Sequence, residues 1–290
     1  MGKYSGYLIA SDLDGTLINS QQTISKENID AVSAFVKEGG LFAIATGRAE
    51  YTAMAFINQL EVNCPCILYN GAVSYDIKSK SYIRSILLNK IKVLDVLKTI
   101  LGEYENLCMQ IFTLGKTYIV SGNENIDPIL LREGHPFELA AIDDILSEDW
   151  VKVLMSETNE TLNKVQQLID SRIPTGTIHT VFSSATYLEV FAGGVSKGSM
   201  LESLVEITGI RREKAIAIGD YCNDIEMLIA AGLGVATANG HPQLKAAADI
   251  TTVSNDEHAI SNLIRVVLPI YSAILEKKEA FRFEQEKEII

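Results

Sequence analysis

The feature that most constrains the fold is the alternation of short, uninterrupted apolar runs with segments of helical periodicity. The apolar runs are 7–10, 41–45, 66–69 and 215–218. Strands buried on both faces of a parallel sheet have this continuous pattern. After the first run, apolar residues recur at helical spacing from Ile29 to Val36, and Ser25 is suited to cap that helix. Strand and helix in alternation predict crossover units and a parallel α/β sheet.

The alternation of single strands and helices is replaced by another pattern in the middle third of the chain. Segments 72–75 and 81–84 read as a hairpin, and a helix pattern from Ile91 to Leu101 leads into strand-like runs at 107–112 and 117–120. Further strands are predicted at 151–155, 178–183 and 187–191, with a helix at about 160–169. The fold class that we expect is α/β, a Rossmann-like parallel sheet core with an inserted α+β cap domain. The core comprises 1–82 and 191–290, and the insertion comprises 83–190.

Composition excludes several classes of protein. The 290 residues carry 25 Lys and Arg against 37 Asp and Glu, a formal net charge of −12, which disfavours a nucleic-acid partner. The long uncharged stretch 228–244 is broken by glycines and a proline, so we expect no membrane span there. We expect a cytoplasmic protein. Four cysteines without paired spacing predict neither a zinc site nor a disulfide framework.

Polar side chains follow the predicted strands. The strand ends carry Asp12, Thr46, Asn70 and Asp220, with Asp14, Asn223 and Asp224 close behind. Ligands of open parallel sheets bind outside the carboxyl ends of the strands. Several carboxylates converging there would repel each other unless a cation lies among them, and their hard oxygen ligands suit Mg²⁺. The sequence therefore predicts a magnesium site at this edge of the sheet.

The spacing of Asp12 and Asp14 suggests two different chemical roles for these carboxylates. With Gly15 allowing the chain to turn, both carboxylates can face the crevice, one as attacking group and one as proton carrier. A hydroxyl at Thr46 and an ammonium at Lys197 are the groups that a transferring phosphoryl group needs around its oxygens. The order of these groups along the chain favours phosphoryl transfer.

This ordered set resembles the motifs of the haloacid dehalogenase (HAD) superfamily of phosphohydrolases. Segments 69–72, 194–198 and 219–228 are similar to its Cof-like branch, which carries a type IIB α+β cap between the second and third motifs. The resemblance implies Asp12 as nucleophile and Asp14 as acid and base. It also implies phosphate binding by Thr46, Gly47, Lys197 and Asn223, substrate binding by Arg48 and Asn70, and metal binding by Asp12, Asp14, Asp220 and Asp224.

We therefore expect a Mg²⁺-dependent phosphatase that acts on small phosphorylated metabolites, such as sugar phosphates or related monoesters, through an aspartyl-phosphate. A phosphomutase on the same core, or a regulatory or binding protein without catalysis, are the alternatives. Asn239 keeps a family asparagine among different neighbours, so the sequence assigns it no fixed contact. It assigns no role to Cys222 or to the charged C-terminal tail either.

Overall fold

The computed structural model describes residues 2–122, 126–127, 130–131 and 136–288, with side chains as far as Phe281. A five-stranded parallel sheet in the order β14-β13-β12-β1-β2 is present, in agreement with the predicted crossover units. Its strands are β1 (Leu8–Ser11), β2 (Leu41–Ile44), β12 (Ala215–Gly219), β13 (Leu233–Ala236) and β14 (Ile250–Thr251).

Both faces of this sheet are buried, which explains the uninterrupted apolar runs. On β1, Ile9 packs into one core cluster and Leu8 and Ala10 into another, since neighbouring side chains of a strand point to opposite faces. Helices cover the two faces: α1 (Lys26–Lys37), α2 (Glu50–Ile57), α5 (Lys197–Thr208), α6 (Ile225–Ala230) and α7 (Pro242–Ala247). The Ser25 side chain accepts the Asn28 N–H at the start of α1, as predicted.

A smaller antiparallel sheet adjoins the parallel one. It contains β3 (Cys66–Leu68), β4 (Val73–Asp76) and β5 (Ser81–Ser85). A parallel bridge between Ala45 and Ile67 continues the parallel sheet into β3.

The middle of the chain forms a six-stranded sheet of its own, here called the cap sheet, in the order β10-β11-β9-β6-β7-β8. Its strands are β6 (Cys108–Thr113), β7 (Lys116–Ile119), β8 (Glu138–Leu139), β9 (Trp150–Ser156), β10 (Ile178–Ser184) and β11 (Tyr187–Ala192). Helices α3 (Lys90–Glu103) and α4 (Asn159–Arg172) pack on one face of it over a separate hydrophobic core. The insertion proposed at 83–190 would begin within β5 and end within β11.

The C-terminal segment forms a nearly continuous helical path. Helix α8 (Ala259–Asn262) passes through a π-helical turn (Leu263–Val267) into α9 (Leu268–Glu288). Among the described residues, the run Ala259–Phe281 is long and apolar enough to cross a membrane. Leu263, Leu268 and Leu275 pack into the hydrophobic core, and core helices pass the same test, so this is weak evidence for a membrane span.

Candidate active site

Two neighbouring strands bring two of the predicted carboxylates together. Asp12 follows β1 and Asp220 follows β12, and these strands pair in parallel with Ser11 opposite Ile218. Asp224 lies in the turn after β12. Asp12, Asp220 and Asp224 each offer an oxygen within 4.8 Å of the others. The predicted convergence of carboxylates at the strand ends is thus a feature of the structure for these three residues.

Lys197 holds the centre of this cluster. It is the first residue of α5, its side chain is fully buried, and its Nζ lies 2.6 Å from Asp12 Oδ1 and 2.6 Å from Asp224 Oδ1. Because Ser196 caps α5 and accepts the Ser199 N–H, the start of the helix that presents Lys197 is fixed. The Lys197 ammonium therefore pairs with two of the three carboxylates.

Electrostatics show that the cluster is short of positive charge. Burial raises the pKa of Asp12 well above its usual range; Lys197 opposes this, and Asp224 adds to it. Burial and the nearby Asp224 carboxylate raise the pKa of Asp220 to about 7. Burial alone would lower the pKa of Lys197, but its two carboxylate partners raise it above the ordinary value. Asp12 and Asp220 therefore resist ionisation, and an added cation would relieve the repulsion between the carboxylates.

The surrounding backbone shapes the cluster closely. Gly15 has a φ of +75°, and a Cβ there would lie 2.4 Å from Asp220 Oδ2, so a larger residue would displace that carboxylate. Thr16 Oγ1 donates to Asp220 Oδ1 at 3.1 Å. Asp224 Oδ2 accepts the backbone N–H groups of Asp220 and Tyr221 at 3.0 and 3.2 Å.

The residues fit a divalent cation. Both oxygens of Asp224 are engaged, one by Lys197 and one by backbone N–H groups, so this side chain supports the cluster more than it faces a cation directly. Asp12 and Asp220 are the carboxylates best placed to hold it. Hard carboxylate oxygens at this density are a donor set for Mg²⁺ or a similar ion.

Thr46, Asn70 and Asn223 lie beside the cluster in a hydrogen-bonded group. The Asn70 backbone N–H donates to Thr46 O at 3.0 Å, and Asn223 Nδ2 donates to Asn70 Oδ1 at 2.9 Å. Asn70 adopts a left-handed backbone with a φ of +51°. A Cβ on Gly47 would lie 3.0 Å from the Asn70 amide, so the Gly47 backbone packs directly on that side chain.

Asp14 and Arg48 form a separate pair above the cluster. Arg48 Nε and Nη2 donate to the two oxygens of Asp14 at 2.7 and 2.6 Å. The Asp14 side chain is 47% exposed, and it is not part of the three-carboxylate group. The structure thus places Asp14 beside the predicted substrate-binding arginine.

A cavity of about 460 Å³ lies between the carboxylate cluster and the cap sheet. Its floor includes Asp12, Asp14, Thr46, Arg48 and Asp220. Its roof is the face of the cap sheet opposite α3 and α4 and includes Gln110, Phe112, Lys152, Leu154, Tyr187 and Glu189. Ligand pockets commonly measure about 300–1,000 Å³, so this space suits a small molecule.

Three polar residues around the site were not assigned a role from the sequence. Lys152 and Glu189 are buried in the roof. Their signal is a single charge within a strand that is otherwise apolar or nearly so, at β9 and β11. Asn239 donates from Nδ2 to Gly15 O at 2.8 Å and accepts the Asn255 N–H, which gives it the fixed contact that its altered motif left open.

Comparison with known proteins identifies the family. The model of the haloacid dehalogenase-like hydrolases matches residues 9–264. The chain belongs to this family. It is 30% identical to phosphatase YwpJ of Bacillus subtilis, with 90% of this chain and 99% of that protein covered. It is 27% identical to the pyridoxal phosphate phosphatase YbhA of Escherichia coli, with 89% and 97% covered.

Solved structures agree with the fold. A haloacid dehalogenase-like hydrolase from B. subtilis superposes with a TM-score of 0.79 at 27% identity, covering 90% of this chain and 99% of that one. The HAD subclass IIB sugar phosphatase BT4131 shares the fold with a TM-score of 0.76 at 23% identity, covering 89% and 98%. The predicted fold class and the Cof-like membership are confirmed, and the protein is a phosphatase of this family.

Proposed function

We propose that this phosphatase is Mg²⁺-dependent and hydrolyses small phosphorylated metabolites through an aspartyl-phosphate on Asp12. The observation that carries the proposal is the position of Asp12, a buried carboxylate at a strand end that lines the floor of the cavity beside Lys197, Asp220 and Asp224. Most of its surroundings are fixed by backbone or buried contacts, so a substrate phosphoryl group would meet a preorganised site.

In the first step, a carboxylate oxygen of Asp12 attacks phosphorus and the bond from phosphorus to the ester oxygen breaks. Asp14 gives its proton to the departing oxygen, which leaves as an alcohol. Lys197 and the hydroxyl of Thr46 stabilise the charge on the phosphoryl oxygens. Asn223 and the backbone at Gly47 complete the group that we assign to phosphate binding.

In the second step, Asp14 takes a proton from water, whose oxygen attacks phosphorus and breaks its bond to Asp12. Inorganic phosphate leaves and Asp12 is again a carboxylate. A bound Mg²⁺ would neutralise charge on the phosphoryl oxygens and lower the repulsion within the cluster. We assign its binding to Asp12, Asp220 and the loop that carries Asp14, with Asp224 supporting these groups through its bonds to Lys197 and the backbone.

We assign Arg48 to substrate binding. In the structure Arg48 donates to both oxygens of Asp14. Since Arg48 also lines the cavity, an entering anionic substrate would compete for its guanidinium and release the Asp14 side chain. Asn70 is assigned to the same substrate-binding region.

The size of the cavity and the names of the relatives support small substrates. The roofed space of about 460 Å³ would hold a metabolite of modest size. Curated relatives over nearly the whole chain include phosphatases for pyridoxal phosphate and for 5-amino-6-(5-phospho-D-ribitylamino)uracil. Because these relatives are phosphatases, they favour transfer to water over the phosphomutase alternative.

A panel of phosphomonoesters tests the proposal. Released phosphate is measured for sugar phosphates, pyridoxal phosphate and an aryl phosphate, with Mg²⁺ and with excess chelator. We expect turnover that requires Mg²⁺ and is not supported by Ca²⁺, because Ca²⁺ prefers looser and higher coordination. Full activity in chelator would refute the metal requirement, and no turnover of any small monoester would refute the substrate class.

A further inference from the structure

A second buried ion pair lies apart from the carboxylate cluster. Lys152 Nζ is 2.5 Å from Glu189 Oε2, and the two side chains are 3% and 2% exposed. They project from the adjacent strands β9 and β11 toward the cavity. The other ion pairs recorded among the described residues either contain Lys197 or include an exposed side chain.

Each member of the pair also contacts a loop of the catalytic floor. Lys152 Nζ donates to Gly47 O at 2.9 Å, and Glu189 Oε1 accepts from Asn70 Nδ2 at 3.0 Å. Because the Gly47 backbone packs on the Asn70 amide, these four residues close a ring that spans the cap sheet and the floor. This ring is where the roof touches the loops that carry Thr46, Arg48 and Asn70.

The energetics of the buried Lys152–Glu189 pair suggest a role other than stabilising the fold. Burying two charges costs desolvation that their mutual attraction only partly offsets, so apolar residues of similar size often stabilise a fold as well or better. The cap sheet already has its own hydrophobic core beneath α3 and α4. A role in fixing geometry accounts for a charged pair at this point of contact.

We propose that Lys152 and Glu189 are positioning residues, which hold the loops at Thr46–Arg48 and Asn70 in their catalytic geometry when the cap sheet is seated. The proposal rests on the proposed phosphatase function. Turnover depends on this loop geometry because Thr46 and Asn70 belong to the phosphate- and substrate-binding region. Small displacements of positioning groups can cost about 100-fold in rate.

Substitutions separate positioning from stability. Lys152→Met alone leaves a buried, unpaired Glu189 and should destabilise the fold. The double variant Lys152→Met/Glu189→Met removes both charges, so it should regain stability while its turnover stays low. We expect kcat on an aryl phosphate with Mg²⁺ to fall about 10- to 100-fold, with KM within about threefold of the wild-type value.

A conservative variant and a matched control sharpen the result. Glu189→Gln keeps an oxygen that can accept from Asn70, so it should lose less turnover than Glu189→Met. Lys98→Met breaks an exposed ion pair with Asp143 in the same region and should change nothing. The activities of the wild type and of Lys98→Met also test the proposed function by itself. If both proteins are inactive, the proposed phosphatase function is refuted, and not the positioning role alone.

Hydrogen exchange provides a readout that does not depend on activity. The loops are held by the bonds from the Asn70 N–H to Thr46 O and from the Tyr69 N–H to Arg48 O. We expect faster amide exchange in peptides that cover 46–48 and 69–71 in the double Met variant, and no change in Lys98→Met. Wild-type kcat and wild-type exchange in a folded double Met variant, or in Glu189→Met if the double variant fails to fold, would overturn the proposal.

Discussion

At the scale of single residues, Asp12 is placed to be both the attacking group and a ligand of the proposed metal. A carboxamide in the same place can neither attack phosphorus nor offer a charged oxygen, so Asp12→Asn should lose roughly three or more orders of magnitude in turnover. The measurement is phosphate release under saturating Mg²⁺. Asp30→Asn on the exposed side of α1 is the control and should retain full activity. Near-normal turnover by Asp12→Asn would disprove the covalent mechanism.

Asp220 should link stability to pH in the metal-free protein. Its pKa of about 7 in the folded state exceeds the value of about 3.9 for an unfolded chain, so the folded protein binds this proton more tightly. The free energy of unfolding should therefore fall as pH rises from about 4 to 7, by about 1 kcal/mol or more from this residue. Asp220→Asn should show a weaker decline, measured by urea unfolding in chelator. Identical pH profiles for the two proteins would contradict this account of the cluster.

At the scale of elements, the close approach of the turn after β3 to the start of α5 holds Lys197 in place. Gly71 has a φ of +100°, and a Cβ there would lie 2.0 Å from the backbone oxygen of Ser196. Gly209 at the other end of α5 has a φ of +66° and open space around it. We expect Gly209→Ala to cost about 1 kcal/mol, the ordinary penalty of a left-handed backbone.

For Gly71→Ala we expect a loss of more than about 3 kcal/mol together with lower turnover, since relief of the clash must move the backbone that carries Ser196 and Lys197. Urea unfolding of the two variants, with phosphate release measured on the folded fraction, makes the comparison. If Gly71→Ala and Gly209→Ala lose the same free energy of unfolding, the backbone at Ser196 moves away from the added Cβ without a cost in stability.

The elements that the sequence predicted well are those with a strong local signal. Continuous apolar runs located the strands of the parallel sheet, and the cap of α1 followed from Ser25. The π-helical turn at Leu263–Val267 left no such local signal. The sequence also could not orient Asp14, because spacing along a loop does not determine which partner its carboxylate will face, here Arg48.

The ring at Lys152 and Glu189 could not be predicted from the sequence for a related reason. Each is a charge within a strand, and only the tertiary structure brings them beside Gly47 and Asn70. Their partners are 105 and 119 residues away along the chain. Contacts over such separations depend on how the cap sheet docks, which local patterns do not record.

At the scale of the whole molecule, we expect the cap sheet to limit which substrates reach the carboxylate cluster. A roofed cavity of about 460 Å³ has room for a small phosphomonoester, so we expect it to exclude a bulky phosphoprotein. Leu154 lines this roof. Leu154→Trp should narrow the space and lower catalytic efficiency about 10-fold or more for large leaving groups, while a phosphate ester of a two- or three-carbon alcohol is affected less.

The comparison uses kcat/KM for a graded series of phosphomonoesters and for a folded phosphoprotein, in the wild type and in Leu154→Trp. Ile91→Trp, on the exposed side of α3, is the control for a large aromatic residue elsewhere in the same region and should leave the ranking unchanged. The wild type should hydrolyse the phosphoprotein poorly, because its phosphate cannot reach Asp12 while the cap sheet is seated. If the ranking of small substrates is the same in Leu154→Trp as in the wild type, the roof does not select the leaving group, and specificity must come from the floor at Arg48 and its neighbours.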